Sequence, residues 1–214
     1  MKTPLCAILT MFAILVLTGC GGSNSSPQIF SASILSDPAF DGDIELTLPS
    51  TYTIIQGMSP SVQSVLAGVD PLTSHEFRAF LDFPLGGAGG VPSNAIIDSA
   101  TLAINIRSIQ TNFSSIPILI DLVSFQPPKL IATDFNRSLL AYTRILPPVS
   151  QVDVGHNIVV DVTSLMAEAQ FRGLPDFQVR ILNDFGTSPG LIEINDTMGI
   201  NRPSLAPLLT VTYH

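Results

Sequence analysis

Residues 157 to 182 set the terms on which the rest of the chain can fold. Ile158, Val159, Val160 and Val162 make a short β-branched run suited to a pleated, largely buried surface. The period then changes. Asp161 and Thr163 are residues that favour a helix N-terminus, and Leu165, Met166 and Ala169 recur at helical spacing among good helix formers. Gly173 and Pro175 stop that helix, and Phe177, Val179 and Ile181 then alternate with Gln178, Arg180 and Leu182 as the chain re-enters a sheet. A strand, one short helix and a strand, in a chain otherwise rich in strand signals, predict a β-sandwich with a single helical crossover.

The other strand signals follow in order. Ile29 to Leu35 is either a first strand or the end of a tether. Ile44, Leu46 and Leu48 alternate with Glu45 and Thr47, and Tyr52 to Gln56 and Val62 to Val69 follow around a turn-rich stretch, Gly57 to Ser61. In Glu76 to Phe83, Phe77, Ala79, Leu81 and Phe83 face one way and Glu76, Arg78 and Asp82 the other. Phe80 interrupts the outer set, so that face is expected to be partly covered. Ala100 to Ile109 places Leu102, Ile104 and Ile106 in the core with Thr101, Asn105 and Arg107 outside. Ile116 to Phe125 is the most apolar run and is expected near the middle of a sheet, ended by Pro127-Pro128. Lys129 to Val149 fits neither period and reads as a loop with a strand near Ala141 to Ile145. Leu191 to Ile194 and Leu208 to Tyr213 close the domain.

The first 19 residues read as a targeting signal. Lys2 gives a positive start and Leu5 to Leu17 an apolar run with Thr10 as its one polar residue, short of the ~20 residues a spanning helix needs. Leu17-Thr18-Gly19-Cys20 resembles the lipobox of bacterial lipoprotein signal peptides. The resemblance implies that Cys20 is lipidated, becomes the first mature residue and anchors the chain to a membrane without spanning it. Gly21 stands where the enterobacterial sorting rule would place Asp for retention, which favours the outer membrane or cell surface. Cys20 to Gln28 reads as a polar flexible tether, and residues 29 to 214 as one domain. Only Cys6 and Cys20 occur, so a domain of about 185 residues is expected to stand on its core without disulfides.

The chain has 9 basic and 17 acidic residues. Losing Lys2 with the signal leaves 8 against 17. That balance lacks the basic footprint of a nucleic-acid binder and reads as the solubility of a surface protein.

Five segments then line up as a set: Arg78-Ala-Phe-Leu-Asp-Phe; Ala95-Ile-Ile-Asp-Ser-Ala-Thr-Leu-Ala-Ile; Val159-Val-Asp-Val-Thr-Ser-Leu; Phe177-Gln-Val-Arg; and Asn201-Arg-Pro-Ser-Leu-Ala-Pro-Leu-Leu-Thr-Val-Thr-Tyr. Their order and spacing resemble the DNRLRE-type jelly-roll domain of bacterial surface and secreted proteins, whose relatives include carbohydrate-binding modules. The resemblance spans Asp41 to His214 and implies an antiparallel jelly-roll sandwich. The Trp-containing segment of that family, ahead of its D-V-T step, is not recognisable here.

Chemistry is sparse. The chain has no Trp and three Tyr; Tyr52 and Tyr213 lie in strands and read as packing residues, while Tyr142, in the irregular region, is the candidate for stacking on a sugar ring. His75, His156 and His214 are far apart and form no metal-ligand spacing. No G-x-S-x-G elbow occurs. Asp41-Gly42-Asp43 resembles a fragment of a calcium loop, with an ordinary turn as the alternative; jelly-roll modules often carry a structural calcium. The expectation is a non-catalytic, lipid-anchored envelope protein with a structural or interaction role, followed by a carbohydrate-binding module for an extracellular polysaccharide, then by a polysaccharide-acting enzyme. The partners expected are the membrane and a polysaccharide or an envelope protein.

Overall fold

Alternating apolar residues become strands wherever they can bury one face, and most of this chain does so. The structure, a computed structural model, describes residues 27–57, 63–125, 129–184 and 188–214. The expected signal peptide, Cys20, most of the tether, the turn at 58–61 and Pro127-Pro128 lie outside those residues. Along the described chain run β1 (Phe30–Leu35), β2 (Gly42–Thr47), β3 (Thr51–Gln56), β4 (Ser64–Val69), β5 (Glu76–Pro84), β6 (Ile97–Thr111), β7 (Ser115–Ile116) and β8 (Ile118–Val123). They are followed by β9 (Ala141–Arg144), β10 (Val149–Ser150), β11 (Asn157–Asp161), helix α1 (Thr163–Phe171), β12 (Asp176–Asn183), β13 (Gly190–Asn195), a short helix α2 (Arg202–Leu205) and β14 (Leu208–Tyr213).

The sheet is antiparallel and curls into a β-sandwich-like body, in the order β1-β14-β6-β13-β4-β5-β12-β8-β9. β11 lies along the first half of β6, and the β2–β3 hairpin lies beside β5. β6 serves both halves: Ile97 to Ala103 pairs with β14, and Ile106 to Thr111 pairs with β13. β7 and β10 form a separate two-stranded ribbon.

The main core fills the inside of the curl. Phe77, Ala79, Leu81 and Phe83 of β5 meet Leu102, Ile104 and Ile106 of β6 and Phe177, Val179 and Ile181 of β12 there. Leu165, Met166 and Ala169 of α1 plug one end of it. Asp161 Oδ1 accepts the Thr163 N–H (2.8 Å) at the start of the helix, and Gly173, at a φ of +64°, lets the chain leave its end. The expected crossover is present, carrying the chain from β11 in one half to β12 in the other.

Three expectations are corrected. The apolar run from Ile116 is broken at Pro117, and β8 lies between β12 and the edge strand β9 rather than at the middle of the sheet. A second helix, the four-residue α2, stands where a fixed turn at Asn201-Arg202-Pro203 was expected; Pro203 sits in its first turn, where a missing N–H costs nothing. Asn105 is buried, its amide donating to Asn157 Oδ1 (2.7 Å) and its carbonyl accepting from Asn195.

One close approach fixes how β4 meets β13. Gly68 has a φ of +122°, and a Cβ there would lie 2.1 Å from the Gly190 carbonyl oxygen. Gly68→Ala is expected to cost at least about 2 kcal/mol through backbone strain and overpacking together. Gly87 has a similar φ (+85°) but open space around it, so Gly87→Ala is expected to cost only ~1 kcal/mol. Urea unfolding of both variants checks the difference; equal costs would mean that the β4–β13 approach is not tight.

Candidate functional site

The outer face of β5, β12 and β8 carries Arg78, Phe80, Asp82, Gln178, Arg180, Asp121 and Val123, a mixture that simple alternation would leave in water. Instead, residues 129 to 140 lie across it as a strap. Phe80, Val123, Phe125, Leu130, Phe135 and Ile44 form a second, smaller core beneath it, with Phe80 edge-on to Phe125 (5.6 Å) and Tyr52 edge-on to Phe135 (5.3 Å).

Buried polar groups hold the strap down. Arg180, 4% exposed, donates from Nη2 to Asp121 Oδ2 (2.6 Å) and from Nη1 to the carbonyls of Phe135 and Arg137 (2.9 Å each). Arg78 donates to Glu76 Oε1 (2.6 Å), to Asn136 Oδ1 (3.1 Å) and to the Phe135 carbonyl, with its guanidinium 3.9 Å over the Phe135 ring. Gln178 accepts the Phe125 N–H (2.8 Å) and donates to Asp82 Oδ1 (2.6 Å); Gln56 accepts the Leu130 N–H (2.7 Å) and donates to the Phe40 carbonyl (2.8 Å). Backbone groups that no strand pairs are thus satisfied by side chains. The loop expected over Lys129 to Val149, with a strand near Ala141, is observed, and so is the covering of the face that Phe80 marked.

The surface of the strap carries a shallow hollow. A depression of about 520 Å³ is lined by Ser124, Thr133, Asn136, Arg137, Ser138 and Leu140. Tyr142 lies just past Leu140, on the edge strand β9 opposite Asp121, and is 53% exposed with the Arg144 guanidinium 5.6 Å from its ring centre. Tyr213 stacks on Phe30 and Tyr52 packs on Phe135. Of the three tyrosines, Tyr142 alone presents most of its ring to solvent.

Asp41 and Asp43 are both buried, and each takes its own partners. Asp41 Oδ1 accepts the Asp82 N–H (2.8 Å), and its carboxyl faces Ser36 and Asp196; Asp43 Oδ2 accepts the Leu66 N–H (3.1 Å). Burial, then the neighbouring Asp196, holds the Asp41 carboxyl well above its ordinary range. Burial pushes Asp43 up to about 7 and Asp82 up to about 6. Asp196 is raised by burial against the opposing pull of Arg202, 3.2 Å away. Among the described residues, no three His, Cys, Asp or Glu side chains converge where a metal ion could sit.

The histidines remain apart. His156 contacts the Val154 carbonyl oxygen (3.1 Å), and His214 pairs with Asp98 (2.9 Å). His75 meets Glu45 (2.6 Å) and Thr47 Oγ1 (3.4 Å), a grouping the sequence did not reveal. Both contacts fall on Nδ1, so the ring does not bridge an acid to a hydroxyl as nucleophilic catalysis requires. No model of a known protein family matches the chain, and no curated protein matches it.

Proposed function

We propose that this is a non-catalytic, lipid-anchored protein of the bacterial cell envelope, carried at Cys20, whose jelly-roll-like domain of the DNRLRE type serves a structural or interaction role. The observation that carries the reading is the use made of the charged groups. Arg78 and Arg180, the latter paired with Asp121, hold a strap over the sheet face that a polysaccharide-cleaving sandwich would keep open. What is left for a partner is the outer surface of that strap.

A second reading, a carbohydrate-binding module, is favoured by one observation. Tyr142 stands exposed two residues past Leu140, which lines a depression with Ser, Thr, Asn and Arg side chains, and a stacking ring with such groups could bond a sugar. The full-length protein in detergent, applied to a glycan array with and without calcium, tests it. A specific hit weakened at least ~10-fold by Tyr142→Ala, the loss of about 1.4 kcal/mol, would make the domain carbohydrate-binding. Dependence of the hit on calcium would direct mutation to Asp41 and Asp43. No hit in either condition leaves the interaction role, with envelope proteins as the partners to seek.

A further inference from the structure

The end of the sandwich from which the chain leads back towards Cys20 carries apolar side chains that the other described residues leave exposed. Phe30 opens β1 and, though stacked on Tyr213 (5.8 Å), is 46% exposed; Ile29 before it is 68% exposed. Just beyond the Phe30–Tyr213 pair, His214 and Ile96 exchange backbone hydrogen bonds (2.9 and 3.1 Å), and Ile96 is 61% exposed. Gln170 donates to the Pro92 carbonyl (2.6 Å), which ties the last turn of α1 to the same end; Phe171, which ends that helix, is 87% exposed. Beside these residues Asp98 lies against the His214 ring (2.9 Å) and Glu168 pairs with Arg172 (2.6 Å).

We infer that this end is a second, non-covalent contact with the bilayer, in which Ile29, Phe30, Ile96 and Phe171 enter the boundary between headgroups and acyl chains. The inference rests on the proposed anchor at Cys20. Ten steps of chain separate Cys20 from Phe30, a reach of at most ~35 Å. β6 alone, with its 15 residues, spans about 50 Å, so the tether cannot let the domain stand on its far end with this end outermost, and this end stays within ~35 Å of the membrane in every orientation. Phenylalanine and isoleucine side chains with no net charge suit that boundary, where apolar area is buried without desolvating ions. Burying them there also restricts the domain to one orientation, with the strap and Tyr142 held off to its side.

Depth-dependent quenching tests this on the full-length lipidated protein in phosphatidylethanolamine–phosphatidylglycerol vesicles. Once the signal is removed, Cys20 is the remaining cysteine and is acylated, so Phe171→Cys and Leu72→Cys each offer a single site for a fluorescent label. Leu72 is 86% exposed in the turn before β5, at the other end. The label at 171 is expected to shift to the blue and to be quenched several-fold more by brominated lipids than the label at 72. Equal, weak quenching of both in protein that floats with the vesicles overturns the contact and keeps the anchor. Protein that fails to float overturns both. A label at 171 already shielded in lipid-free Cys20→Ala protein that sediments as a dimer means that a second copy covers the patch, which also overturns the membrane contact.

Discussion

Arg180→Met is expected to lower the unfolding free energy by about 3–5 kcal/mol, the usual cost of breaking a buried ion pair from one side. The substitution keeps much of the volume and removes the guanidinium. Asp121, itself buried and with no other hydrogen-bond donor to Oδ2, is left as an uncompensated buried carboxylate. The Arg137 carbonyl loses its donor at the same moment, while the Phe135 carbonyl keeps the one from Arg78, and an unmet buried acceptor adds about 1–3 kcal/mol of its own. The strap should therefore loosen before the sheet does. Urea titration gives the total, and limited trypsin cleavage at Lys129 and Arg137 reports the local opening. Because an ion pair is costly to bury, Arg180→Met combined with Asp121→Leu should recover much of the loss. A single-variant cost under about 1 kcal/mol would mean that the apolar contacts of Phe135 and Leu130 hold the strap without the ion pair.

The second large effect is on pH. Burial raises Asp43 from 3.8 to about 7 and Asp82 to about 6, and it raises Asp41 and Asp196 in the same direction. Each of these carboxyls binds its proton more tightly in the folded chain than in the unfolded one. Their contribution is complete below the unfolded value of 3.8 and is lost as pH rises through the folded values, about 6 for Asp82 and about 7 for Asp43. From Asp43 alone the domain should gain about 2–3 kcal/mol between pH 8 and pH 5. Asp70 and Asp161 are held below their ordinary range by hydrogen bonds from Leu72 and Thr163, which acts the other way in stronger acid. Asp43→Asn keeps an acceptor for the Leu66 N–H and removes the charge. It should raise stability at pH 8 and flatten the profile between pH 5 and 8. A melting temperature that stays level or falls from pH 8 to pH 5 would show that these carboxyls titrate normally.

How much of this could be read from the chain depends on what each pattern measures. The β11–α1–β12 stretch was legible because its period changes from 2 to 3.6 and back, with Asp161 and Gly173 marking the ends of the helix. Most other strands were legible for the same reason. Alternation reports which side chains share a face and is silent on whether water reaches that face. It puts Arg78 and Asp82 on one face of their strand and Gln178 and Arg180 on one face of theirs, but does not show that the two strands are neighbours or that all four are buried; the one trace of the cover was Phe80, an apolar residue between Arg78 and Asp82. The strap itself has no strand or α-helical period, since one 3-10 turn, Ala132–Asn136, takes up part of its backbone and the side chains of Gln56 and Arg180, from other elements, bond Leu130, Phe135 and Arg137. Asp41-Gly42-Asp43 reads as a calcium-loop fragment or a turn, and nothing in it shows that both carboxylates accept N–H groups, of Asp82 and Leu66, that are distant in sequence. Tyr142 was singled out for lying in the irregular stretch, and its exposure follows from the edge position of β9.

The pairing of β1 with β14, Phe30 against Tyr213 through to Leu35 against Leu208, has a consequence for how the molecule comes into being. The first strand to be made is a lateral partner of the last, and β6 cannot complete its set of neighbours until β11, β13 and β14 all exist. A chain that emerges N-terminus first therefore has no finished sheet to close until β14 is free. Such long-range pairing is slow to nucleate, and it leaves the polypeptide open for as long as synthesis lasts.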